Sequence, residues 1–499
     1  MALVNPFSSL TSGDKQWVDH ISKTLKKQLD INVDTPPLSI FQIPQILKDD
    51  KPEVYVPQRI GLGPNHHFRP ELYQNMEQNK LTSVKRVLKS NKVQVSEDQV
   101  VDKVKEIIPI ICACYDLYLD ADDDTLAWLF TIDTLFFIDL LGAYIDQQVA
   151  IDAKDIIMLE NQIPLIVLKE IQNVLSGSFD EAQEDFWESK FGYFCKCHSP
   201  FILSKEKIDF SKVNHLLDYM YQSIVTNEES MSPEVYFQKS GSGPSEKDDT
   251  LELLEMFIQL MALIPGTKPF LQIFESFMKS FSESIEKMVT AEEIKVPSVS
   301  ELRDIAGVKF HLSPTDGGIR NINFVGENER SCYLPVITLN IDSEVILRNL
   351  VAYEQLMAKK SFTTGYGLEL TEYVDFMCGI IDSVKDVWLL REEKIIIGDL
   401  GNEDIVKLFN GIGRSQGKMN RVSDLRKTVY QLNKVYQSTP RVWVEKQLRA
   451  SAKMITFLIS ISSTLILIRE VYLKDYGLNP PNMNLDDIVR TTLSSFFHL

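Results

Sequence analysis

The sequence predicts a mainly α protein: a multi-helical body, a small β element around 308–340, and a strongly apolar stretch near the C-terminus. Three observations carry that reading. Apolar residues recur at helical spacing, as in Trp17, Ile21, Leu25 and Leu29. The period changes to two in Val308-Lys309-Phe310-His311-Leu312 and over 319–324. An uncharged apolar run fills 454–468.

In chain order, 13–30 reads as a first amphipathic helix. Pro36-Pro37 forces an extended segment that continues through Ile40-Phe41-Gln42-Ile43-Pro44. Pro52 and Pro57 bracket a second extended piece, Val54-Tyr55-Val56. A glycine-containing turn over 59–67 precedes a helix from Pro70 to Leu88. From 98 to 146 the pattern is helical and strongly apolar, broken by Asp120-Ala121-Asp122-Asp123-Asp124. There Asp124 or Thr125 is expected to cap the helix carrying Trp128, Phe130, Phe136 and Phe137.

The next stretch is Ile156-Ile157-Met158-Leu159-Glu160-Asn161-Gln162-Ile163-Pro164-Leu165. Proline lacks an N–H and is tolerated at a helix start but not inside one. One helix should therefore end near Leu159 and another run from Pro164 to Leu175. Glu160, Asn161 and Gln162 form a joint between apolar runs, and buried polar groups there need partners. The three are read as structural, satisfying groups at both helix ends.

Two helices follow over 182–225, with Cys195-Lys196-Cys197-His198 between them. Ser240-Gly241-Ser242-Gly243-Pro244 lies in a charged, flexible loop at 239–249. A Phe- and Met-rich helical run covers 250–289. In the β element, Asp316-Gly317-Gly318 supplies the turn between the two alternating runs, and Tyr333-Leu334-Pro335-Val336-Ile337-Thr338-Leu339 is a third short extended piece. Ser343 and Glu344 open a helix, Thr371–Ile381 forms another, and Ser383 with Asp386 makes a capping box for a third. Asn402 is expected to cap the helix of Ile405, Leu408 and Phe409. The expected layout is a helical domain at 14–440, an apolar span at 454–473 and a short tail at 474–499.

Composition narrows the function classes. Apolar residues make up 44% of 499, enough for a large core, which excludes global disorder. A net charge of −18 argues against nucleic acid as the main partner, because phosphate binding needs clustered Lys and Arg. Six cysteines are too few for a disulfide scaffold. No basic start with a long apolar run marks a signal peptide, and no Asn-x-Ser/Thr occurs, which leans towards the cytosol.

Several motifs suggest chemistry and fail on spacing. Gly61-Leu62-Gly63 lacks the third glycine of a dinucleotide loop and the Gly-Lys-Ser/Thr of a P-loop. Adjacent His66 and His67 point in different directions and cannot easily share a metal. The Cys195–His198 cluster supplies too few ligands for zinc. The aspartates at 120–124 have Thr125 and Thr131 where a calcium loop needs Gly and Glu. No catalytic, cofactor-binding or metal residues are assigned, and no cofactor is expected.

Six segments together resemble a plant-specific family of unknown function, domain of unknown function 247. They are Arg59-Ile60-Gly61-Leu62-Gly63-Pro64-Asn65-His66-His67, Met76-Glu77-x-x-Lys80, Met158-Leu159-Glu160-Asn161-Gln162-Ile163-Pro164, Pro297–Phe310, Leu347-Arg348-Asn349-Leu350-Val351-Ala352-Tyr353-Glu354-Gln355, and Tyr373-Val374-Asp375-Phe376 through Leu408-Phe409-Asn410-Gly411. Gly61 and Asn65 stand where the family usually has Ser and Tyr. The resemblance implies a plant protein with a mostly helical body, usually one membrane-spanning helix near the C-terminus, and no established catalytic residues. Some grass members are associated with self-incompatibility, and nothing in this sequence carries that role over.

The expected function is therefore a non-enzymatic, membrane-anchored plant protein acting in protein interaction or signalling, with an unidentified protein partner. One alternative is a hydrolase or transferase using Glu160, His66, His67 and Asp375 as acid–base groups. The other is a soluble helical scaffold that buries its last apolar helix. Residues 454–468 span only about 22 Å as a helix, short of a hydrocarbon core of about 30 Å, so length alone favours a buried or interfacial helix, and it is the family resemblance that implies a membrane helix here. Arg469 can snorkel and the Ser and Thr hydroxyls can bond back within the helix. Arg441, Lys446, Arg449 and Lys453 precede the stretch, which places the large N-terminal body in the cytosol by the positive-inside rule.

Overall fold

A computed structural model describes Ser22 and residues 38–442, apart from 226–295 and shorter stretches such as 361–367 and 413–423. The first helix expected at 13–30, the loop at 239–249, the run at 250–289 and the apolar span at 454–473 lie outside the described residues. Met1–Leu432 forms one compact unit and Asn433–Leu499 a second.

Among the described residues the first unit is mainly helical. Its N-terminal half contains α1 (Gln45–Asp50), α2 (Pro64–His67), α3 (Pro70–Ser90), α4 (Glu97–Glu106), α5 (Ile108–Ala113) and α6 (Asp123–Ile145). It continues with α7 (Ala153–Ile157), α8 (Leu165–Ser176), α9 (Ala182–His198) and α10 (Leu216–Val225). Of the segment expected to be extended at 54–56, Val54 instead closes a 3-10 turn, Pro52–Val54. Cys195, Cys197 and His198 lie on the last turn of α9, not between two helices.

Helix α6 is the centre of this half. Leu126, Ala127, Leu129, Phe130, Leu135, Phe136, Phe137 and Leu141 are all buried, and they fall on every side of the helix. A helix apolar all round must be enclosed by protein or lipid. Here α3, α4, α8 and α9 pack around it. It is also the one described helix long and apolar enough to cross a membrane, and 61% of that window is buried inside the protein. Asp122, not Asp124 or Thr125, caps its start: one carboxylate oxygen accepts the Thr125 N–H at 2.8 Å. With an extended backbone, Asp122 can turn its side chain back onto the first turn.

The C-terminal half begins with α11 (Val299–Asp304) and β1 (Lys309–Leu312). Then come β2 (Asn323–Val325), β3 (Ser331–Leu334) and β4 (Ile337–Thr338). They are followed by α12 (Ser343–Lys360), α13 (Glu369–Ile380), α14 (Val384–Glu392), β5 (Ile396–Ile397) and α15 (Asn402–Gly411). A helix α16 (Asp424–Gln437) follows. The expected hairpin between 308–312 and 319–324 does not form. Gly318–Arg320 winds into a 3-10 turn, and only Asn323–Val325 stays extended. β3 then lies in the middle of a three-stranded sheet, parallel to β1 and antiparallel to β2. Ser331, Cys332 and Leu334 are buried, as suits a strand flanked on both edges. β4 and β5 pair in parallel. Ser383 and Asp386 form the expected capping box, whereas Gly401 takes the cap position and Asn402 is the first residue of α15.

The turn after β5 permits no side chain. Gly398 has φ +102, and a Cβ there would lie 2.1 Å from the Leu339 carbonyl oxygen. Both the backbone angle and the contact oppose any L residue. Gly398→Ala is expected to lower stability by about 2–4 kcal/mol, read as a fall in the urea midpoint at unchanged slope.

Candidate functional site

The polar joint at 160–162 is a buried hydrogen-bond network that links several segments of the chain. Helix α7 ends at Ile157, earlier than expected, and a 3-10 turn, Leu159–Asn161, follows. Pro164 sits at the cap position of α8 with extended backbone, so the helix starts one residue later than the sequence suggests. Glu160, Asn161 and Gln162 are all buried.

Their partners lie largely on remote loops. The Asn161 carboxamide oxygen accepts the Leu62 N–H at 2.6 Å, and its nitrogen donates to the carbonyls of Ile60 at 2.7 Å and Asp155 at 2.8 Å. Gln162 Nε2 donates to the Ile156 and Met158 carbonyls, and its oxygen accepts the Leu217 N–H at 3.0 Å. Glu160 Oε1 accepts the Ile43 N–H at 2.6 Å and an ion pair from Lys48 at 2.7 Å. Asn349 extends the network from α12: its oxygen accepts the Leu159 N–H, and its nitrogen donates to the Val54 and Val345 carbonyls. Of the helix-end groups expected as partners, only the carbonyls of α7 and its exit are met from within the joint.

The glycine loop is an anion nest filled from inside the protein. The Asp155 carboxylate accepts the N–H groups of Gln58 at 3.1 Å, Arg59 at 2.7 Å and Ile60 at 2.9 Å. Gly63 N–H goes to Asp133 at 2.8 Å. Lys80 bridges the two, donating to the Gly61 carbonyl at 2.7 Å and pairing with Asp133 at 2.6 Å. The backbone donors that could cradle a phosphate are therefore already bonded to side-chain oxygens.

Among the described acid–base candidates, Asp375 lies on a different element from Glu160 and His66. Glu160 and buried His66 lie on adjoining elements, since α2 packs against the 3-10 turn of Glu160. Asp375 sits on α13, which packs against α12, α15 and the turn Gly318–Arg320. The side chain of His67 lies outside the described residues. In the cysteine cluster, Cys195 is buried and Cys197 exposed, and burial pushes the Cys195 thiol well up. The His198 Nε2 meets the Tyr144 hydroxyl at 2.8 Å, and burial lowers its basicity. No group of three or more metal-capable side chains occurs among the described residues. A pocket lined by Phe201, Ile202, Leu312, Ser313, Pro335 and Val336 encloses about 90 Å³, against roughly 300–1,000 Å³ for ordinary ligand sites.

Sequence reasoning missed the buried ionisable groups Glu354 and His215, and named Asp386 only as a capping residue. Glu354 accepts from Tyr221 at 3.0 Å, the Leu370 N–H at 3.0 Å, and the Thr371 N–H and hydroxyl at 2.7 and 2.6 Å. Burial nevertheless holds its carboxyl above the usual range. Asp386 is the opposite case. Burial alone would raise it, and hydrogen bonds from Ser383 and Ser300 together bring it below the ordinary value. His215 accepts the Asp218 N–H through Nδ1 at 3.1 Å, so Nε2 carries the proton that goes to the Ser39 carbonyl. Burial lowers its basicity. The signal for such groups was a lone charge within an apolar helical pattern, as Asp133 is in α6.

Fold and joint together define a class: a mainly helical protein whose loops are fastened by buried carboxamides and carboxylates. The family model described as a plant protein of unknown function, DUF247, matches residues 40–468, and the chain belongs to that family. A putative UPF0481 protein of Arabidopsis thaliana is 29% identical, over 90% of this chain and 92% of the relative. A second UPF0481 protein of the same plant is 23% identical, over 75% of this chain and 72% of the relative. No solved structure matches.

Asn161→Leu would orphan the Leu62 N–H and two carbonyls. A loss of roughly 1–3 kcal/mol is expected in denaturant unfolding. A variant that unfolds like the parent would show that these bonds are dispensable. His215 yields a pH dependence. Its folded basicity is lowered, so its contribution is full above the ordinary histidine value of 6.5 and is lost as pH falls through it. His198 acts in the same direction. The melting temperature should therefore drop between pH 7.5 and 5.5, and the drop should shrink in His215→Gln.

Proposed function

We propose that this DUF247 member is a non-enzymatic, membrane-anchored protein that acts through protein interaction or signalling, with its N-terminal body in the cytosol. The observation that carries the non-enzymatic part is the state of the buried ionisable groups. Glu160, Asp155, Asp133, Lys80 and Glu354 are each held by backbone or side-chain partners inside the fold. A general acid or base must reach a substrate proton at about 2.6–3.2 Å, directly or through one water. These carboxylates face backbone amides and hydroxyls of their own chain instead. They act as fasteners between loops and helices.

The membrane part rests on residues 454–473 and on the family resemblance. Helix α6 matches a membrane span in length and hydropathy, yet its long axis is wrapped by four helices and it carries the Asp133–Lys80 pair. It is read as the core of the body. The uncharged stretch 454–468, preceded by four basic residues and followed by Arg469, is read as the anchor.

The full-length protein is expected to stay with the membrane pellet in alkaline carbonate. Its release into the supernatant would overturn the anchor. A glycan added at a sequon engineered near Leu10 would overturn the orientation, because only a lumenal segment is glycosylated.

A further inference from the structure

We propose that His215 is a pH-operated latch that fastens the strap of residues 38–44 to the body and releases it in mild acid. The proposal is independent of the membrane reading above. The strap is extended and lies along the chain just past α5. The N–H groups of Ser39 and Ile40 donate to the Cys114 carbonyl at 3.1 and 2.9 Å, and the Ile40 carbonyl accepts the Asp116 N–H at 2.9 Å. Ile40, Phe41 and Ile43 are buried. At the far end Glu160, itself paired with Lys48, accepts the Ile43 N–H. His215 ties this strap to α10. Its carbonyl accepts the Tyr219 N–H at 2.9 Å and its Nδ1 accepts the Asp218 N–H at 3.1 Å, so it caps the helix start. Its Nε2 donates to the Ser39 carbonyl at 3.1 Å. The ring is wholly buried and stands edge-on to Tyr353, with centroids 5.4 Å apart.

Both nitrogens are thus committed, and only the neutral ring can serve both bonds. An imidazolium has two donors and no acceptor. Its second proton would sit at Nδ1, facing the Asp218 N–H, and the cap would be lost. The titratable groups around the ring do not replace this one. The Asp218 carboxylate already accepts from Asn214 and Gln222. Tyr353 faces the ring from α12, with Tyr221 of α10 beyond it, and Cys114 lies under the strap. Burial pushes both phenols well up and the Cys114 thiol up to about 12, so all three stay neutral in this range. Glu354, whose carboxyl burial raises, works in the opposite direction, and it bonds α10 and α13 rather than the strap.

Linkage gives the size and the sign. With the strap open, His215 is hydrated and titrates at the ordinary histidine value of 6.5. The closed form holds the ring neutral, because burial lowers its basicity. Protons therefore bind the open form in preference. One pH unit below the ordinary value, the opening equilibrium rises by up to about tenfold, and one unit above it the change is negligible. The latch is shut above that value and loosens as pH falls through it.

The test is hydrogen–deuterium exchange of the full-length protein at pH 7.5 and 5.5, corrected for the intrinsic pH dependence of exchange. Protection is read over residues 39–43 and over α6. In the parent, protection over 39–43 should fall by up to about tenfold at the lower pH, while α6 keeps its own. His215→Gln and His215→Asn cannot titrate, and in each the protection over 39–43 should be the same at both pH values. Either variant suffices if the other fails to fold. Unchanged protection over 39–43 in the parent overturns the latch. A loss shared equally by α6 is unfolding of the whole unit and overturns it too. A loss that persists in the variants assigns the release to Glu160 at the other end of the strap, and overturns the role of His215.

Discussion

The carboxamide of Asn161 ties the loop of Ile60 and Leu62 to the segment running from Asp155 to Asn161. It takes the N–H of Leu62 and gives its own hydrogens to the carbonyls of Ile60 and Asp155. Asp155 in turn gathers three consecutive N–H groups, those of Gln58, Arg59 and Ile60. A segment with prolines at 52, 57 and 64 and glycines at 61 and 63 cannot satisfy its own backbone in a helix or sheet. Where its residues are buried, as at Ile60, Leu62 and Gly63, their amides need partners from elsewhere in the chain. The joint provides them, and so the N-terminal half holds its irregular loops in the interior. Lys80 and Asp133 extend the same solution: removing either would leave a buried charge uncompensated, typically a cost of about 3–5 kcal/mol.

This arrangement explains a mismatch between motif and use. Gly61-Leu62-Gly63 has the composition of a phosphate loop, and its donors do bind anions. The anions are the carboxylates of Asp155 and Asp133, supplied from inside the protein. Gly63, with φ +69, lies where an added Cβ would crowd the Tyr115 hydroxyl at 3.2 Å. Tyr115 itself donates to the Gln162 carbonyl at 2.9 Å. The glycine serves close packing of the loop against the joint.

Hydropathy likewise separates two apolar stretches only with help from packing. Helix α6 and the stretch 454–468 are both strongly apolar. The first carries Asp133, which in lipid would be costly and in this fold meets Lys80 and the Gly63 amide. The second has no charge at all over fifteen residues and is flanked by cations. What assigns α6 to the core is its enclosure by α3, α4, α8 and α9.

The sequence by itself determined the helical class, most helix positions among the described residues, the capping box at Ser383 and the need of Glu160, Asn161 and Gln162 for buried partners, because these depend on local periodicity and on the missing N–H of proline. Family membership was legible in the same ordered segments. Tertiary structure decided who bonds to whom. No spacing rule pairs Asn161 with Leu62, Asn349 with Val54, or Glu354 with Tyr221, since those partners are brought together by chain folding over about 100 to 300 residues. It also decided the sheet: β1 and β3 are parallel because Gly318–Arg320 coils and lets β3 enter between its neighbours. Where a side chain's role is set by burial and by distant amides, the local sequence holds only the hint of a polar residue in an apolar run.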